Sequence, residues 1–405
     1  MKTNLLFKTV FVITCLLSQL NLWAQDAQPV TVNVVTAGTL PSLISESSKY
    51  EITNLTLTGD LNGTDIRFIR EMAGVDINED ATEGKLTTLN LADVNIVEGG
   101  ETYFETDGVY HTSKNDISEC MFSFTKIKNI TIPNSVTHID GSAFYSCLYL
   151  ENFMVSKYHQ IFSDVDGVLF NKNKTTLMSY PLAKIASSYI IPNSVTYIRD
   201  GSFAQNVALT SITIPNSVTM IGNYAFAECK GLTNIVIPNS VTEILFGAFQ
   251  NCTRLTSIVI SNNVTMLEGK VFWGCVNLTE IYSQNTTPPS LGEDCFTNVD
   301  KTTTKLYVPK GSKEAYSTAA GWSEFTNIIE KDFTSINNIS NNNVSIQSIE
   351  NGIAIETTEA TNISVFNITG LKVYQSIVNG YKEVALDKGV YIVSTNNNSQ
   401  TVIVK

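Results

Sequence analysis

Apolar and polar positions along this chain recur in columns 23 residues apart. Phe203, Phe226, Phe249 and Phe272 form one column, and Leu209, Leu232, Leu255 and Leu278 a second. Val195, Val218, Val241 and Val264 form a third; Ile198, Ile221, Ile244 and Leu267 a fourth. The hexapeptide Ile-Pro-Asn-Ser-Val-Thr begins at Ile132, Ile191, Ile214 and Ile237, with a degenerate copy at Ile260. Within one copy, Leu232, Ile235 and Ile237 take the first, fourth and sixth places. The last two point the same way along a strand of period two. Pro238 has no backbone donor and ends that strand. Val241 and Ile244 return three apart, and Ala248 and Phe249 close the coil. One such coil cannot bury its own apolar side, but stacked coils bury theirs against one another in a one-dimensional array.

A fixed period of 23 residues lies in the range of leucine-rich repeats. The pattern therefore predicts a leucine-rich-repeat solenoid, β-rich, with a parallel sheet on one face and coils ~4.8 Å apart. Ile52–Leu57, Leu86–Leu91, Ile127–Ile132 and Leu150–Val155 fit the same strand template. From Phe144 to Phe203 is 59 residues, one period plus 36. Those 36 hold Gly167–Phe170, a polar turn at Asn171–Lys174, and Thr175–Met178, which reads as an elaborated coil with two short strands. Lys305–Val308 before Pro309 reads as a closing strand. Tyr316, Trp322, Phe325 and Ile328 are expected to cap the open core, as the end of a solenoid requires.

The repeats stop near Lys331. Residues 332–348 are Asn-rich and read as a linker. Beyond them come short alternating runs, Ile353–Ile355, Ile363–Val365, Lys372–Tyr374, Val384–Leu386, Val390–Ile392 and Val402–Val404, punctuated by Gly370, Gly380 and Gly389. About six strands over residues 349–405 suggest a small all-β sandwich. At the other end, Lys2 and Lys8 and an apolar core from Thr9 to Leu17, with Ala24 for cleavage, read as a signal peptide over residues 1–24. That core is too short to span a bilayer. Residues 25–49 form an N-terminal lead-in, and 50–331 the solenoid with its caps.

Composition narrows the function. The net charge of −12 becomes −14 once Lys2 and Lys8 leave with the signal segment. No basic run is present, so nucleic acid is not an expected partner. Charged residues make up 16% and apolar residues 43%, which argues against disorder. No second apolar stretch approaches ~20 residues, so no transmembrane helix is expected in the mature chain.

The consensus Leu-x-x-Ile-x-Ile-Pro-x-x-Val-x-x-Ile, followed by Ala-Phe-x-x-Cys, resembles the BspA-like leucine-rich repeats of bacterial surface proteins. The coil with Asp166–Phe170 and the ending near Tyr307–Gly311 are similar to the same family, over about residues 50 to 331. The resemblance implies a secreted or outer-surface protein that binds host proteins or other cells, with no enzyme activity and no fixed set of binding residues. Gly389–Val393 and Val402–Lys405 resemble C-terminal sorting domains of type IX secretion cargo. That likeness implies passage across an outer membrane and surface attachment; a plain β-module is the other reading.

Chemistry-bearing residues are few. Phe162–Leu169, with Asp164 and Asp166, resembles the nucleophile loop of haloacid-dehalogenase-type phosphatases, where one aspartate attacks phosphate and the other handles the proton. Such a loop needs a parallel α/β sheet and further partners, and none surrounds it here. Asp-x-Asp-Gly is also good turn sequence. The regular oxygen ligands of a calcium loop are missing. His111, His138 and His159 have no metal-site spacing. Neither catalysis, metal nor cofactor is expected. Cys147, Cys229, Cys252 and Cys275 each follow a Phe by three residues. In-register coils hold Cβ atoms about 4.8 Å apart, beyond the ~3.8 Å of a disulfide, so buried free thiols are expected. Cys120 and Cys295 sit outside that column, and their state stays open.

The candidate binding surface is the outward position of each strand: Thr56, Asn90, Thr131, Met154, Ile190, Thr213, Val236, Val259, Tyr282 and Tyr307. The row becomes more apolar and aromatic toward its end, and exposed aromatic residues serve as binding anchors. Met154, Ile190, Thr213, Val236, Val259, Tyr282 and Tyr307 are the candidate site. Its expected ligand is an extracellular protein, from host matrix or another cell surface, bound by a monomer in adhesion. A glycan in a nutrient-capture system and a structural surface role are the alternatives. The bland account is that β-branched and aromatic residues simply favour strands.

Overall fold

The computed structural model describes residues 29–106, 108–331, 333, 344–349, 352–367, 372–387, 389–394 and 399–404. The expected signal peptide and most of the Asn-rich linker lie outside them. The chain forms two compact units, one comprising residues up to Leu306 with Thr318–Asn327, the other Tyr307–Ser317 with residues from Ile328 onward.

The first unit is the expected solenoid. Its parallel sheet begins with Val30–Val34, ahead of the repeats, and continues through Asn54–Leu61, Thr88–Ile96, Asn129–Thr131 and Asn152–Met154. The same strand position returns in Ser188–Ile190 with Ser211–Thr213, and in Asn234–Val236, Ser257–Ile260 and Glu280–Ser283, all parallel. A second ladder of two-residue strands runs along another side through Tyr197–Ile198, Met220–Ile221, Glu243–Ile244, Met266–Leu267 and Ser290–Leu291. The third side, carrying the Phe column, is also hydrogen-bonded from coil to coil: Phe203 N–H donates to Ala225 O at 2.8 Å and Phe226 N–H to Ala248 O at 2.8 Å. Each coil thus satisfies its backbone groups through its neighbours, as buried peptide groups require.

The columns predicted from the period fill the interior. Phe203, Phe226, Phe249, Phe272 and Phe296 stack with centroids 5.0, 5.1, 5.6 and 5.3 Å apart. Trp322 and Phe325 close this ladder against Phe296, at 5.3 and 5.2 Å. Trp322 Nε1 donates to Pro289 O at 2.7 Å, so its polar edge is satisfied in the cap. Tyr316 and Ile328, the other expected cap residues, are buried and belong to the second unit. Cys229, Cys252 and Cys275 are buried free thiols whose Sγ atoms donate to the carbonyls of Phe203, Phe226 and Phe249 at 3.2, 3.1 and 3.1 Å. Cys295 is free and buried, and Cys120 free and half-buried.

Two features depart from the repeat. The helix Gly63–Met72 replaces a return segment. Asn62 caps it by accepting from Thr64 N–H, while Asp65 reaches back to Asn62 N–H, a capping box. Ile66, Ile69 and Met72 then line its buried side. The elaborated coil forms an antiparallel hairpin, Phe162–Val165 with Val168–Asn171, whose second strand also pairs antiparallel with Thr176–Ser179. Its turn residues Asp166 and Gly167 have φ of 49° and 77°, the left-handed pair that a tight hairpin turn needs.

In the second unit, Val344–Ile349, Gly352–Asn367, Lys372–Ala385, Gly389–Ser394 and Ser399–Val404 join one antiparallel sheet. The alternating runs around Ile353 and Ile363 are one strand with a register break between Thr357 and Thr361. Gly380 pairs with Thr357 inside the long hairpin rather than ending a strand. Ile353, Ile355, Ile363, Val365, Val378, Val384, Tyr391 and Val393 form the core of this sheet.

Candidate ligand-binding face

The strand-face row is set by pairing register. Thr31, Thr56, Asn90, Thr131 and Met154 are successive cross-strand partners and form one continuous outward line. Ile190 pairs with Thr213. Val236, Val259 and Tyr282 pair in turn. The alternation of the strand sends Ile130, Phe153, Ile212, Ile235, Ile258 and Ile281 into the core and these residues to the outside.

The row is therefore three segments. Between Met154 and Ile190 the hairpin intervenes, and Phe153 N–H donates to Gly167 O instead of to a repeat strand. No strand ladder pairs Thr213 with Val236 among the described residues. The most exposed members are aliphatic: Val236 at 59% and Met154 at 38%. Beside Met154, the loop after its strand displays Tyr158 at 74% and Ile161 at 41%, which repeat reasoning passed over because the insertion has no column to follow. The aromatic positions are partly engaged. Tyr282 is half-buried, and its hydroxyl donates to Glu280 Oε2 at 2.8 Å, while Lys305 Nζ lies 3.7 Å from Glu280 Oε1. Tyr307, in the second unit, is half-buried with Lys331 Nζ 5.2 Å from its ring centroid.

A polar row runs beside the apolar one. Asn54, Thr88, Asn129 and Asn152 are successive partners, and Asn152 Nδ2 donates to Asn129 Oδ1 at 2.9 Å. At each coil edge a threonine hydroxyl donates to the threonine carbonyl one coil back, as with Thr233 to Thr210 at 3.3 Å, Thr256 to Thr233 at 3.0 Å and Thr279 to Thr256 at 3.2 Å. These bonds fix the coil spacing that holds the face rigid.

The residues weighed for chemistry have structural roles. Asp164 Oδ1 accepts from Val155 N–H at 2.9 Å, tying the hairpin to the preceding strand. Asp166 occupies the turn itself. His138 Nδ1 lies 2.7 Å from Asp116 Oδ1 on the surface. His159 is buried: Nε2–H donates to Pro133 O at 3.0 Å, and Nδ1 accepts from Ile161 and Phe162 N–H at 3.1 Å each. Burial is the main cause that lowers its pKa. Among the described residues no group of three or more His, Cys, Asp or Glu is placed to hold a metal ion. No described helix is long and apolar enough to cross a membrane.

The BspA type leucine rich repeat region family matches residues 106–177 and 183–303, in 6 copies. Those matched residues are similar to BspA type leucine rich repeat regions. No curated protein matches the chain. Among solved structures, the chain is similar to a leucine-rich repeat protein from Eubacterium ventriosum ATCC 27560, at 24% identity over 62% of this chain and 77% of that one, with a TM-score of 0.41. It is similar to the pneumococcal vaccine antigen PcpA, at 18% identity over 75% and 79% of the two chains, TM-score 0.46. It is also similar to a leucine rich cell surface protein from Faecalibacterium prausnitzii A2-165, at 23% identity over 63% and 78%, TM-score 0.38.

Proposed function

We propose that this BspA-type leucine-rich repeat array works outside the cell as a non-catalytic adhesion or protein-binding surface, with the strand face as its contact. The observation that carries the reading is the outward apolar row. Strand register puts Met154, then Ile190 with Thr213, then Val236, Val259 and Tyr282 on the outward side of three successive strand ladders, and Val236 stands 59% exposed. Apolar side chains held rigidly in solvent lose little freedom when a partner covers them, which favours binding. Tyr307 extends the candidate set in the second unit. Substituting Val236 or Met154 with Glu leaves the core untouched and places a charge where a partner would pack. Binding of the full chain to a panel of purified extracellular matrix proteins should fall at least tenfold in Val236→Glu. Undiminished binding in both variants would move the contact to another face.

The C-terminal sheet is proposed as a type IX sorting module. In support, the two segments that carry the resemblance, Gly389–Val393 and Val402–Lys405, fall, as far as the described residues reach, on the adjacent antiparallel strands Gly389–Ser394 and Ser399–Val404. Deleting residues 349–405 should then leave the chain inside the outer membrane of its cell; surface display of the truncated chain would reduce the sheet to a spacer.

A further inference from the structure

Between the strands Asn152–Met154 and Ser188–Ile190 the chain leaves the repeat, and this insertion carries a charge of its own. Residues 156–185 hold four lysines and two aspartates, a net +2 in a chain of net −12. Among the described residues neither aspartate pairs with a lysine. Asp164 Oδ1 accepts from Val155 N–H, and Asp166 turns the end of the hairpin opposite to Asn171–Lys174. Elsewhere in the first unit Lys49, Lys85, Lys128, Lys230, Lys301 and Lys305 each pair with a glutamate. Lys157, Lys172 and Lys174 are exposed, and among the described residues none of the three forms an ion pair.

These lysines are gathered at one corner of the insertion. Lys172 Nζ donates to Lys157 O at 3.0 Å, and Lys172 N–H to Ile161 O at 2.6 Å. Lys157 Nζ stands 4.9 Å from the Tyr158 ring centroid. Lys174 lies in the same turn as Lys172, and its carbonyl accepts from Ser194 Oγ at 2.9 Å. The buried His159 holds the loop from below: Nε2–H donates to Pro133 O of the preceding coil, and Nδ1 accepts from Ile161 and Phe162 N–H. Tyr158 at 74% and Ile161 at 41% therefore stand in solvent on a fixed backbone beside the ammonium groups.

We propose that this corner docks an acidic segment of a protein partner, whose carboxylates meet Lys157, Lys172 and Lys174 while an apolar side chain covers Tyr158 and Ile161. The proposal rests on the protein-binding reading above and names the partner's chemistry. Charge complementarity sets the sign. Three ammonium groups with no carboxylate of their own keep a positive potential on an otherwise acidic molecule, so an acidic segment is drawn to this corner and repelled by the rest. The apolar neighbours set the class. A tyrosine and an isoleucine already held in place lose little freedom when an apolar side chain covers them, and a sulfated glycan has no such side chain to offer.

The test uses the full chain and three fluorescein-labelled probes: a short peptide of alternating Glu-Phe and Asp-Leu pairs, the same peptide with Gln and Asn in place of the acids, and heparin. Fluorescence anisotropy should show the acidic peptide bound at least about tenfold more tightly than its neutral counterpart, and more weakly as salt is raised. Lys157→Glu combined with Lys172→Glu should lower that affinity at least about tenfold. Arg254→Glu makes the same change of charge at an exposed position of a later coil and should leave the affinity as it was. All of these side chains are exposed, so the melting temperature should hold and separate lost binding from lost fold. Val236→Glu reads the strand face through the matrix-protein panel and should not move the peptide affinity, so the two readings fail separately. Equal binding of the two peptides, an equal loss in Arg254→Glu, or binding of heparin with the acidic peptide unbound would overturn the proposal.

Discussion

Between Ser188 and Thr304 the solenoid is filled by columns of Phe, Leu, Ile, Val and Cys. Between Val30 and Ser187 an apolar core of less regular spacing is joined by buried charged and imidazole side chains that occur once each. Among the described residues, the buried charged groups Lys49, Asp65 and Arg70 and the buried His159 all lie in the earlier region. Asp65 accepts from Gly38, Leu40 and Asn62 N–H at 2.6, 2.9 and 2.9 Å, joining the first coil to the helix. Arg70 is fully buried, and its Nη1 donates to the carbonyls of Cys120, Met121 and Ser123 at 3.0, 3.2 and 3.2 Å. Burial pushes its guanidinium down to about 10, which still leaves it charged at neutral pH. The difference teaches how irregularity is tolerated. A regular coil satisfies its backbone through the next identical coil; an irregular one strands carbonyls, and a side chain must reach in to meet them.

The largest effect should come from breaking a column. Phe249 is stacked between Phe226 at 5.1 Å and Phe272 at 5.6 Å. Phe249→Ala opens a cavity that its neighbours cannot fill without leaving their own stack, and should cost about 3–5 kcal/mol. Because coils touch only their neighbours, amide exchange should quicken in the coils of Phe226 and Phe272 and stay unchanged in the helix Gly63–Met72. Chemical denaturation with hydrogen exchange reads both. A uniform change along the whole array would mean that the two regions unfold as one.

Next comes the loss of a unique polar tie. Arg70→Met keeps most of the volume but takes the guanidinium donors from the carbonyls of Met121, Ser123 and Asp76, while Cys120 O keeps Ser123 N–H and Oγ, a loss of about 3 kcal/mol. Exchange should rise around Cys120–Ser123 and not beyond Ser188. Arg70→Lys should recover little, because one ammonium on a flexible stem does not reproduce the planar fork. If Arg70→Met moves stability by less than about 0.5 kcal/mol, the ordinary range for surface changes, the polar tie is dispensable.

The same contrast explains what was legible in the sequence. A column announces itself because its members must match: Phe226 needs Phe249, and Leu232 needs Leu255. The coil architecture and the free Cys147, Cys229, Cys252 and Cys275 could be read that way, and the closing Trp322 and Phe325 from the need of an open end for a cap. Arg70 and Asp65 have no partner at a fixed spacing. Their bonds reach carbonyls 50 to 53 residues away and amides 25 to 27 residues away, which no local pattern marks. The capping box at Asn62 and Asp65 follows directly on the strand Asn54–Leu61, whose period-two pattern masks the start of the helix. For the candidate face, alternation fixed which side each residue faces. It did not reveal that Tyr282 turns its hydroxyl to Glu280, or that the hairpin separates Met154 from Ile190.

The smallest expected effect is local and depends on pH. His159 is buried in the elaborated coil with Nδ1 facing two backbone N–H groups, so the native state holds the neutral ring. Protonation would put a third N–H where an acceptor is required, and burial and then Lys172 oppose the charge. The folded value is lowered from the ordinary 6.5. The unfolded coil therefore binds the proton first as pH falls. Stability from this group is full above the ordinary imidazole range and is lost as pH drops through that range and through the lower folded value. Exchange at Ile161 and Phe162, corrected for the intrinsic rate, should rise between pH 7 and pH 5. Coils from Ser188 to Thr304 contain no histidine and should show no such step. His159→Gln should flatten the pH dependence while leaving the rest of the array as it was. A step of equal size in the later coils would assign the acid response to the carboxylates instead, and remove the distinction between the two regions.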